Sequence, residues 1–214
     1  MKALVMGLTL AVLPALSQQP GAPIAPIALY TSFQQAPPVA VLEALQDEVE
    51  SIMSPTGLRF EWRKLSNVRG DEVSVELAVL TLRGRCDAEG LLGHGSHAGA
   101  LGWTHLSDGA ILPFSDVDCD GIRKFVQGGL LALRPAERAA AYGRAVGRVL
   151  AHELYHIFAD TKRHGSCGVG KEAYTVQDLL STDFHFEDRE SNALRTGKAH
   201  MVLENAVAGD SSRY

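Results

Sequence analysis

The feature that most constrains this chain is the pentapeptide His152-Glu153-Leu154-Tyr155-His156, which lies in an apolar, proline-free stretch over residues 145–159. Such a stretch predicts a helix. On a helix, residues four positions apart are separated by about 40° of rotation and 6 Å of rise, so both imidazoles can reach one ion. Glu153 lies beside the same face, where its carboxylate can accept a proton from water. The pattern predicts two metal ligands and a general base, and the alternative is a solvated helix face that binds no metal.

A third ligand must come from beyond the helix, because zinc in a hydrolase usually has three protein ligands and one open position. His164 follows His156 by eight residues, which on an unbroken helix is about 12 Å of rise. The chain must therefore turn back, and Asp160, Thr161 and Gly165 are residue types that suit such a turn. His164 is the first candidate for the third ligand. The alternatives, in order, are Glu172 and Cys167, followed by Asp160 and His185.

Length and composition predict one soluble domain. The chain has 214 residues, of which 46% are hydrophobic and 21% are charged, values typical of a globular protein with a sizeable core. The formal net charge is −5. An acidic chain offers no basic field to neutralise phosphates, so we do not expect nucleic acid as the main partner. No motif predicts an oligomer, and we expect a monomer.

The first residues predict export. Lys2 precedes an apolar run, and Ala15-Leu16-Ser17 has the small-x-small pattern of a signal-peptide cleavage site. We interpret residues 1–17 as a signal peptide and residues 18–26 as a flexible leader. A single domain over residues 27–207 and a loose tail over 208–214 follow. Because the apolar run is too short for a comfortable membrane span, we expect a secreted or periplasmic protein without a stable anchor.

The three cysteines all lie in the part of the chain predicted to be exported. In an oxidising compartment two of them are expected to pair and one to remain. If the strand that ends near Cys86 and the hairpin before Cys119 are neighbours in a sheet, these two cysteines can meet. The preferred disulfide is therefore Cys86 with Cys119, and Cys167 is predicted to remain unpaired.

The periodicity of apolar residues predicts an α+β domain. Strands are predicted over residues 27–33, 58–65 and 73–82, and an amphipathic helix over 39–53. A second long helix, which carries the pentapeptide, is predicted from Pro135 or Ala136 to about Ala159. Two shorter helical segments follow, one with a capping box at Thr175 and one over residues 187–195.

Residues 99–114 predict a hairpin with its turn at Ser107-Asp108-Gly109. Its first strand could pair with a substrate peptide through backbone hydrogen bonds; the segment concerned comprises Ala100, Leu101, Gly102, Trp103 and Thr104. An ordinary surface hairpin, with Trp103 in the core, is the alternative. The acidic residues 116–120 that follow are interpreted as a solvated turn. His94 and His97 could hold a structural metal, although solvated loop histidines are favoured.

The pentapeptide in a chain predicted to be secreted resembles the HExxH motif of zincin-type zinc metallopeptidases. The order of predicted elements over residues 27–165 resembles the metzincin branch. The resemblance implies a mixed sheet with an edge hairpin, packed on two long helices, whose edge strand binds substrate. It also implies that His152 and His156 bind Zn²⁺ and that Glu153 acts as base and acid. Metzincins place a glycine and the third histidine where this chain has Ala159 and Lys162, so the turn before His164 must differ.

The family also has a methionine beneath the metal, and Met201 is the methionine of this chain that follows the predicted helix. The sequence around it does not match a known motif. Together the motif and the resemblance predict a zinc-dependent endopeptidase that acts on peptides or proteins, with Tyr174 and His185 as candidate oxyanion donors. The alternative is a secreted domain that binds zinc or a partner without catalysis. A fourth convergent ligand, such as Cys167, would favour that alternative.

Overall fold

The computed structural model describes residues 27–70, 72, 74–92, 97–197 and 199–201. The predicted signal peptide, the leader, the tail over 208–214 and His94 lie outside these residues. The helices and strands follow the order β1 (Ile27–Phe33), α1 (Val39–Met53), β2 (Phe60–Lys64), β3 (Leu77–Arg83), β4 (Gly102–Ser107), β5 (Ala110–Asp118), α2 (Cys119–Ala132), α3 (Pro135–Phe158), α4 (Val176–Leu180) and α5 (Asp188–Arg195).

The five strands form one mixed sheet in the order β2-β1-β3-β5-β4. β1 runs parallel to both β2 and β3, and β3 runs parallel to β5. β4 pairs antiparallel with β5 and lies at the edge of the sheet. The expectation of an α+β domain with a mixed sheet and an edge hairpin is confirmed at this level.

The hairpin turns at Asp108 and Gly109, which both have positive φ, 49° and 84°. A two-residue loop with two left-handed residues matches the twist of the flanking strands, and an Asp-Gly sequence adopts that conformation readily. The turn lies where the sequence predicts it. Among the residues that the structure describes, no strand pairs with the other edge of β4, which is therefore its free edge.

One face of the sheet packs against the helices. Every second residue of the central strand β3 is fully buried (Ala78, Leu80 and Leu82), and these residues belong to the same hydrophobic cluster as the apolar faces of α1 and α3. Burial of each leucine side chain contributes about 1.5–3 kcal/mol. The core therefore fixes α3, which carries the pentapeptide, against the sheet.

Two glycines of α3 allow α1 to approach closely. A Cβ atom on Gly143 would lie 2.5 Å from the carbonyl oxygen of Val41, and one on Gly147 would lie 2.8 Å from that of Leu45. Larger residues at these positions would push the two helices apart. Among the described residues, no helix combines the length and the apolar character that a membrane crossing requires.

The prediction of a solvated turn over residues 116–120 is wrong. Asp116 and Asp118 belong to strand β5, and Cys119 begins helix α2, which is not among the predicted helices. Asp116 is buried, and Arg83 and His105 compensate its charge by binding its two carboxylate oxygens, at 2.6 and 2.5 Å. Asp118 caps α2 by accepting a hydrogen bond from the Gly121 amide. The acidic residues therefore act as an ion-pair partner and as a helix cap.

Cys86 and Cys119 form a disulfide across 33 residues of chain. The pairing follows from the sheet, because β3 ends just before Cys86 and lies beside β5, which ends just before Cys119. Cys167 is a free, exposed cysteine.

Arg148 of α3 holds the segment after α3 against the core. Its buried guanidinium forms an ion pair of 2.6 Å with Glu48 of α1. It also donates hydrogen bonds to the carbonyl oxygens of Asp178 and Ser181, and it lies over the ring of Phe184. These contacts place residues 178–184 beside the middle of α3.

Candidate metal centre

The last two turns of α3 present His152, Glu153 and His156 together. All three side chains are largely buried, with exposed fractions of 6%, 5% and 9%. The imidazoles of His152 and His156 lie edge to face with 4.6 Å between the ring centroids. The helical spacing therefore brings both rings together, as the sequence predicts.

Backbone carbonyls fix the orientation of both imidazoles. His152 donates from Nδ1 to the carbonyl oxygen of Val169, and His156 donates from Nδ1 to that of Thr161, each over 2.7 Å. Because Nδ1 carries the proton in each ring, both Nε2 atoms are acceptors, and these atoms lie only 3.0 Å apart. Two acceptors repel each other at this distance, so the arrangement suits a cation that binds to both.

His164 joins the pair because the chain reverses directly after α3. The helix ends at Phe158, and Asp160 follows with the left-handed φ of 47°. The ring of His164 then stacks on His152 at 5.2 Å and lies edge-on to His156 at 4.9 Å. One ligand atom from each histidine lies within 4.8 Å of the others, and the three form a group that could hold a metal ion.

The donor set suits zinc. Three imidazole nitrogens with a fourth position left for water form the usual ligand set of a catalytic zinc site. The carbonyls of Val169 and Thr161 supply the outer hydrogen bonds that metal-bound histidines normally make. Within the described part of the chain, no fourth histidine, cysteine or acidic residue joins the group.

Burial keeps the histidines in the form that binds a metal. The pKa of His152 is lowered to about 4, chiefly by burial and in smaller part by the neighbouring His156 and His164, while the hydrogen bond to the Val169 carbonyl opposes this shift. The pKa of His156 is also lowered, again chiefly by burial. Since a metal binds the neutral imidazole, both rings are ready to coordinate at neutral pH.

Glu153 lies between the histidines and the edge strand. Its Oε2 accepts a hydrogen bond of 2.7 Å from the hydroxyl of Thr104 on β4. Burial raises the pKa of Glu153 to about 7, and the Thr104 hydroxyl partly opposes this shift. A carboxyl group with a pKa near neutrality can both accept and return a proton, which is what general acid–base catalysis requires.

A cleft of about 430 Å³ opens over the three histidines. One wall is formed by β4 and the residues just before it, and the other by the chain from Thr161 to Tyr174. The predicted substrate segment lines this cleft with all five of its residues, Ala100, Leu101, Gly102, Trp103 and Thr104. A Cβ atom on Gly102 would lie 2.9 Å from both Glu153 and Val149, so glycine allows β4 to approach α3 here.

Trp103 lies on the other face of β4 from Thr104 and is exposed. The guanidinium of Arg83 lies 5.5 Å from the centre of its ring. The side chain therefore does not belong to the core, and it lines the cleft beside the edge strand.

The alternative ligands do not join the three histidines. Glu172 lines the cleft but stands apart from the group, and Cys167 contacts Glu187 instead. Asp160 terminates α3 and is exposed. The imidazole of His185 bonds to Asp183 and is 73% exposed.

Two further residues singled out in the sequence also lie apart from the three histidines. Met201 is 54% exposed and does not line the cleft, so it does not lie beneath the histidines. His97 lines the cleft and approaches the carbonyl of Ala100.

The two carbonyls that orient the histidines could not be predicted from the sequence, because every residue has a backbone carbonyl and no residue type distinguishes these two. Tyr174, which the sequence suggests as a donor to the oxyanion, lines the cleft, and its hydroxyl donates to the Val169 carbonyl and lies 2.9 Å from Nδ1 of His152. Burial raises the pKa of Tyr174 well above its usual value, so it stays a donor. Tyr174 therefore supports the orientation of His152.

A solved structure to which the chain is similar is the crystal structure of archaemetzincin from Methanopyrus kandleri. The two have a TM-score of 0.50 and 16% sequence identity, and the similarity covers 86% of this chain and 98% of that one. No protein-family model and no curated protein sequence matches the chain. At this level of identity the similarity concerns the fold alone, and the chain has an archaemetzincin-like fold.

Proposed function

We propose that this protein is a zinc-dependent peptidase. The observation that carries the proposal is the group of His152, His156 and His164 at the floor of a cleft, with the carboxylate of Glu153 beside it. The similarity of fold to archaemetzincin supports the proposal. The name of that protein denotes a metzincin, which is the branch that the order of predicted elements in this chain also resembles.

The three histidines would hold Zn²⁺ through one ring nitrogen each. When bound, the ion would act as a Lewis acid that polarises the substrate carbonyl and lowers the pKa of water. The protein supplies the rest of the chemistry through its own side chains.

Glu153 accepts a proton from water as the water oxygen attacks the carbonyl carbon of a peptide bond. It then returns this proton to the nitrogen of the leaving amine as the carbon–nitrogen bond breaks. The Thr104 hydroxyl holds the carboxylate in place for both steps. Tyr174, whose hydroxyl donates to the Val169 carbonyl, helps to orient the His152 ring, and it also lines the cleft in which a donor to the oxyanion is needed.

The free edge of β4 supports a peptide or protein as substrate. An extended peptide can pair with such an edge through backbone hydrogen bonds, and it would then cross the cleft next to Glu153. A strand that binds the backbone on both sides of the scissile bond favours an endopeptidase. Peptides blocked at both termini test this point, since an endopeptidase cleaves them and an exopeptidase does not.

We also propose that the protein is exported after cleavage near Ser17. The disulfide between Cys86 and Cys119 supports this proposal, because disulfides persist mainly in oxidising compartments. Sequencing the N-terminus of protein recovered from outside the cytoplasm tests it. Recovery of the uncleaved chain from the cytoplasm alone would contradict it.

The decisive test compares the wild-type protein with Glu153→Gln for both zinc content and cleavage of a peptide library. The proposal expects equal zinc content and a loss of cleavage of at least about 100-fold. If both proteins bind zinc and neither cleaves any peptide, the protein is a zinc-binding module. If neither binds zinc, the proposed centre is wrong.

A further inference from the structure

Glu190 is a fully buried carboxylate that the proposed chemistry does not use. It belongs to helix α5 and only 1% of the residue is exposed. Its Oε2 atom has no hydrogen-bonding partner among the described residues. A buried carboxylate oxygen without a partner is costly, so its presence calls for an explanation other than stability.

The side chain of Glu190 lies against two glycines. A Cβ atom on Gly165 would lie 2.5 Å from its Oε1, and the three atoms nearest to that Cβ would all belong to Glu190. A Cβ atom on Gly170 would lie 2.8 Å from its Cγ. The carboxylate thus occupies the space where these two residues would otherwise carry side chains.

Both glycines directly follow a residue of the metal centre. Gly165 follows His164, the third histidine of the group. Gly170 follows Val169, whose carbonyl accepts the proton of His152 Nδ1. The Gly165 amide donates to the Gly170 carbonyl over 2.6 Å, so the two segments are joined at this point.

We propose that Glu190 is a positioning residue for the metal centre. Its side chain fills the space next to Gly165 and Gly170, where the two segments are joined. It thereby fixes the position of these segments, so that His164 and the Val169 carbonyl both face His152. This inference rests on the proposed function, because it assigns Glu190 a part in metal binding. The unpartnered oxygen is the cost of placing a carboxylate at this point.

The test measures zinc affinity by competition with a chelating dye, and unfolding of the metal-free protein by denaturant. For Glu190→Ala we expect a loss of zinc affinity of about 10- to 100-fold, the range typical of residues that orient metal ligands. In the metal-free variant the space left by the side chain costs packing, while removal of the unpartnered oxygen gains stability, so we expect its denaturant midpoint to stay close to that of the wild type. A residue needed only for folding would give the opposite pattern.

Glu190→Gln preserves the shape of the side chain and should keep zinc affinity within about threefold of the wild type. Asp188→Ala, an exposed acidic residue in the first turn of the same helix, is the matched control and should bind zinc normally. If Glu190→Gln binds zinc as weakly as Glu190→Ala, Glu190 does not position the centre by filling this space.

Gly165→Ala gives an independent test. Its methyl group would meet Glu190, and we expect a loss of zinc affinity of about tenfold or more. In the double variant Gly165→Ala with Glu190→Ala, the methyl group has room. The double variant should therefore bind zinc no more than about twofold more weakly than Glu190→Ala alone. Fully additive losses would overturn the inference.

Two outcomes separate this inference from the proposed function. If the wild-type protein binds zinc and Glu190→Ala binds it equally well, or loses affinity only in step with its metal-free stability, Glu190 does not position the centre and the peptidase proposal stands. If the wild-type protein binds no zinc, both are overturned.

Discussion

The hydroxyl of Thr104 donates a 2.7 Å hydrogen bond to Oε2 of Glu153. Thr104 lies on the edge strand β4 and Glu153 on helix α3, so this bond connects the strand proposed to bind substrate with the proposed proton acceptor. The same hydroxyl lies 2.8 Å from Oγ of Ser115 on β5. The carboxylate is thus tied to the sheet as well as to its own helix.

Thr104→Val should move the acidic limb of the pH profile of kcat/KM to higher pH. The Thr104 hydroxyl lowers the pKa of Glu153 against the larger effect of burial, and valine cannot donate this bond. Loss of a hydrogen bond to a charged group should raise that pKa by about one unit. Thr104→Ser keeps the hydroxyl and should keep the profile. A limb that stays in place in the valine variant would show that this bond does not tune Glu153.

Glu153→Gln should stabilise the metal-free protein at alkaline pH. The pKa of Glu153 is raised from 4.5 to about 7 by burial, so the unfolded chain releases this proton at lower pH than the native protein. The stability that the protonated carboxyl contributes is present below pH 4.5 and is lost as pH rises through about 7. Gln resembles the protonated form, so the variant should be more stable by about 2–3 kcal/mol at pH 8.

Urea unfolding in the presence of a chelator measures this difference. At pH 4.5 the variant and the wild type should agree within about 0.5 kcal/mol. Glu43→Gln, on the exposed face of α1, is the control and should leave stability unchanged at both pH values. A difference that does not depend on pH would contradict the assignment of the buried charge to Glu153.

His164→Ala should weaken zinc binding more than about 100-fold, because the ion would lose one of three protein ligands. Glu172→Ala and His185→Ala are controls, since Glu172 lines the cleft outside the group and His185 lies away from it. Competition with a chelating dye measures all three affinities. Normal binding by the His164 variant would remove this residue from the centre, and weak binding by the Glu172 variant would assign the third ligand to Glu172.

Replacing both Cys86 and Cys119 by serine should lower the free energy of unfolding by about 3–4 kcal/mol, as expected for a loop of this length. The disulfide closes 33 residues of chain between two buried cysteines. Urea unfolding of the metal-free proteins, with and without a reducing agent, measures the loss. Cys167→Ser changes a free, exposed thiol and should have no effect on stability. Equal stability of the wild type with and without reductant would contradict the prediction.

Local patterns were enough for much of the fold. The bounds of β1 and α1 match the predicted ones, and the hairpin turn lies at the predicted Asp108 and Gly109, because apolar periodicity and turn residues act within a few positions of the chain. β3 begins at Leu77 rather than at residue 73, since alternation alone does not show where a neighbouring strand ends. Helix α2 was missed because the acidic residues before it were interpreted as a turn, whereas one of them is its cap.

The sequence by itself determined the chemistry of the centre. The spacing of His152 and His156 on a helix brings their rings together wherever that helix lies. Glu153, the residue directly after His152, carries the carboxylate that can accept a proton. Tertiary structure decided everything that depends on distant parts of the chain. The turn at Asp160 selects His164 rather than Glu172 or Cys167 for the group, and the carbonyls of Val169 and Thr161 orient the two helical rings. These contacts depend on backbone atoms and on packing between distant segments, and neither can be recognised from the amino-acid sequence.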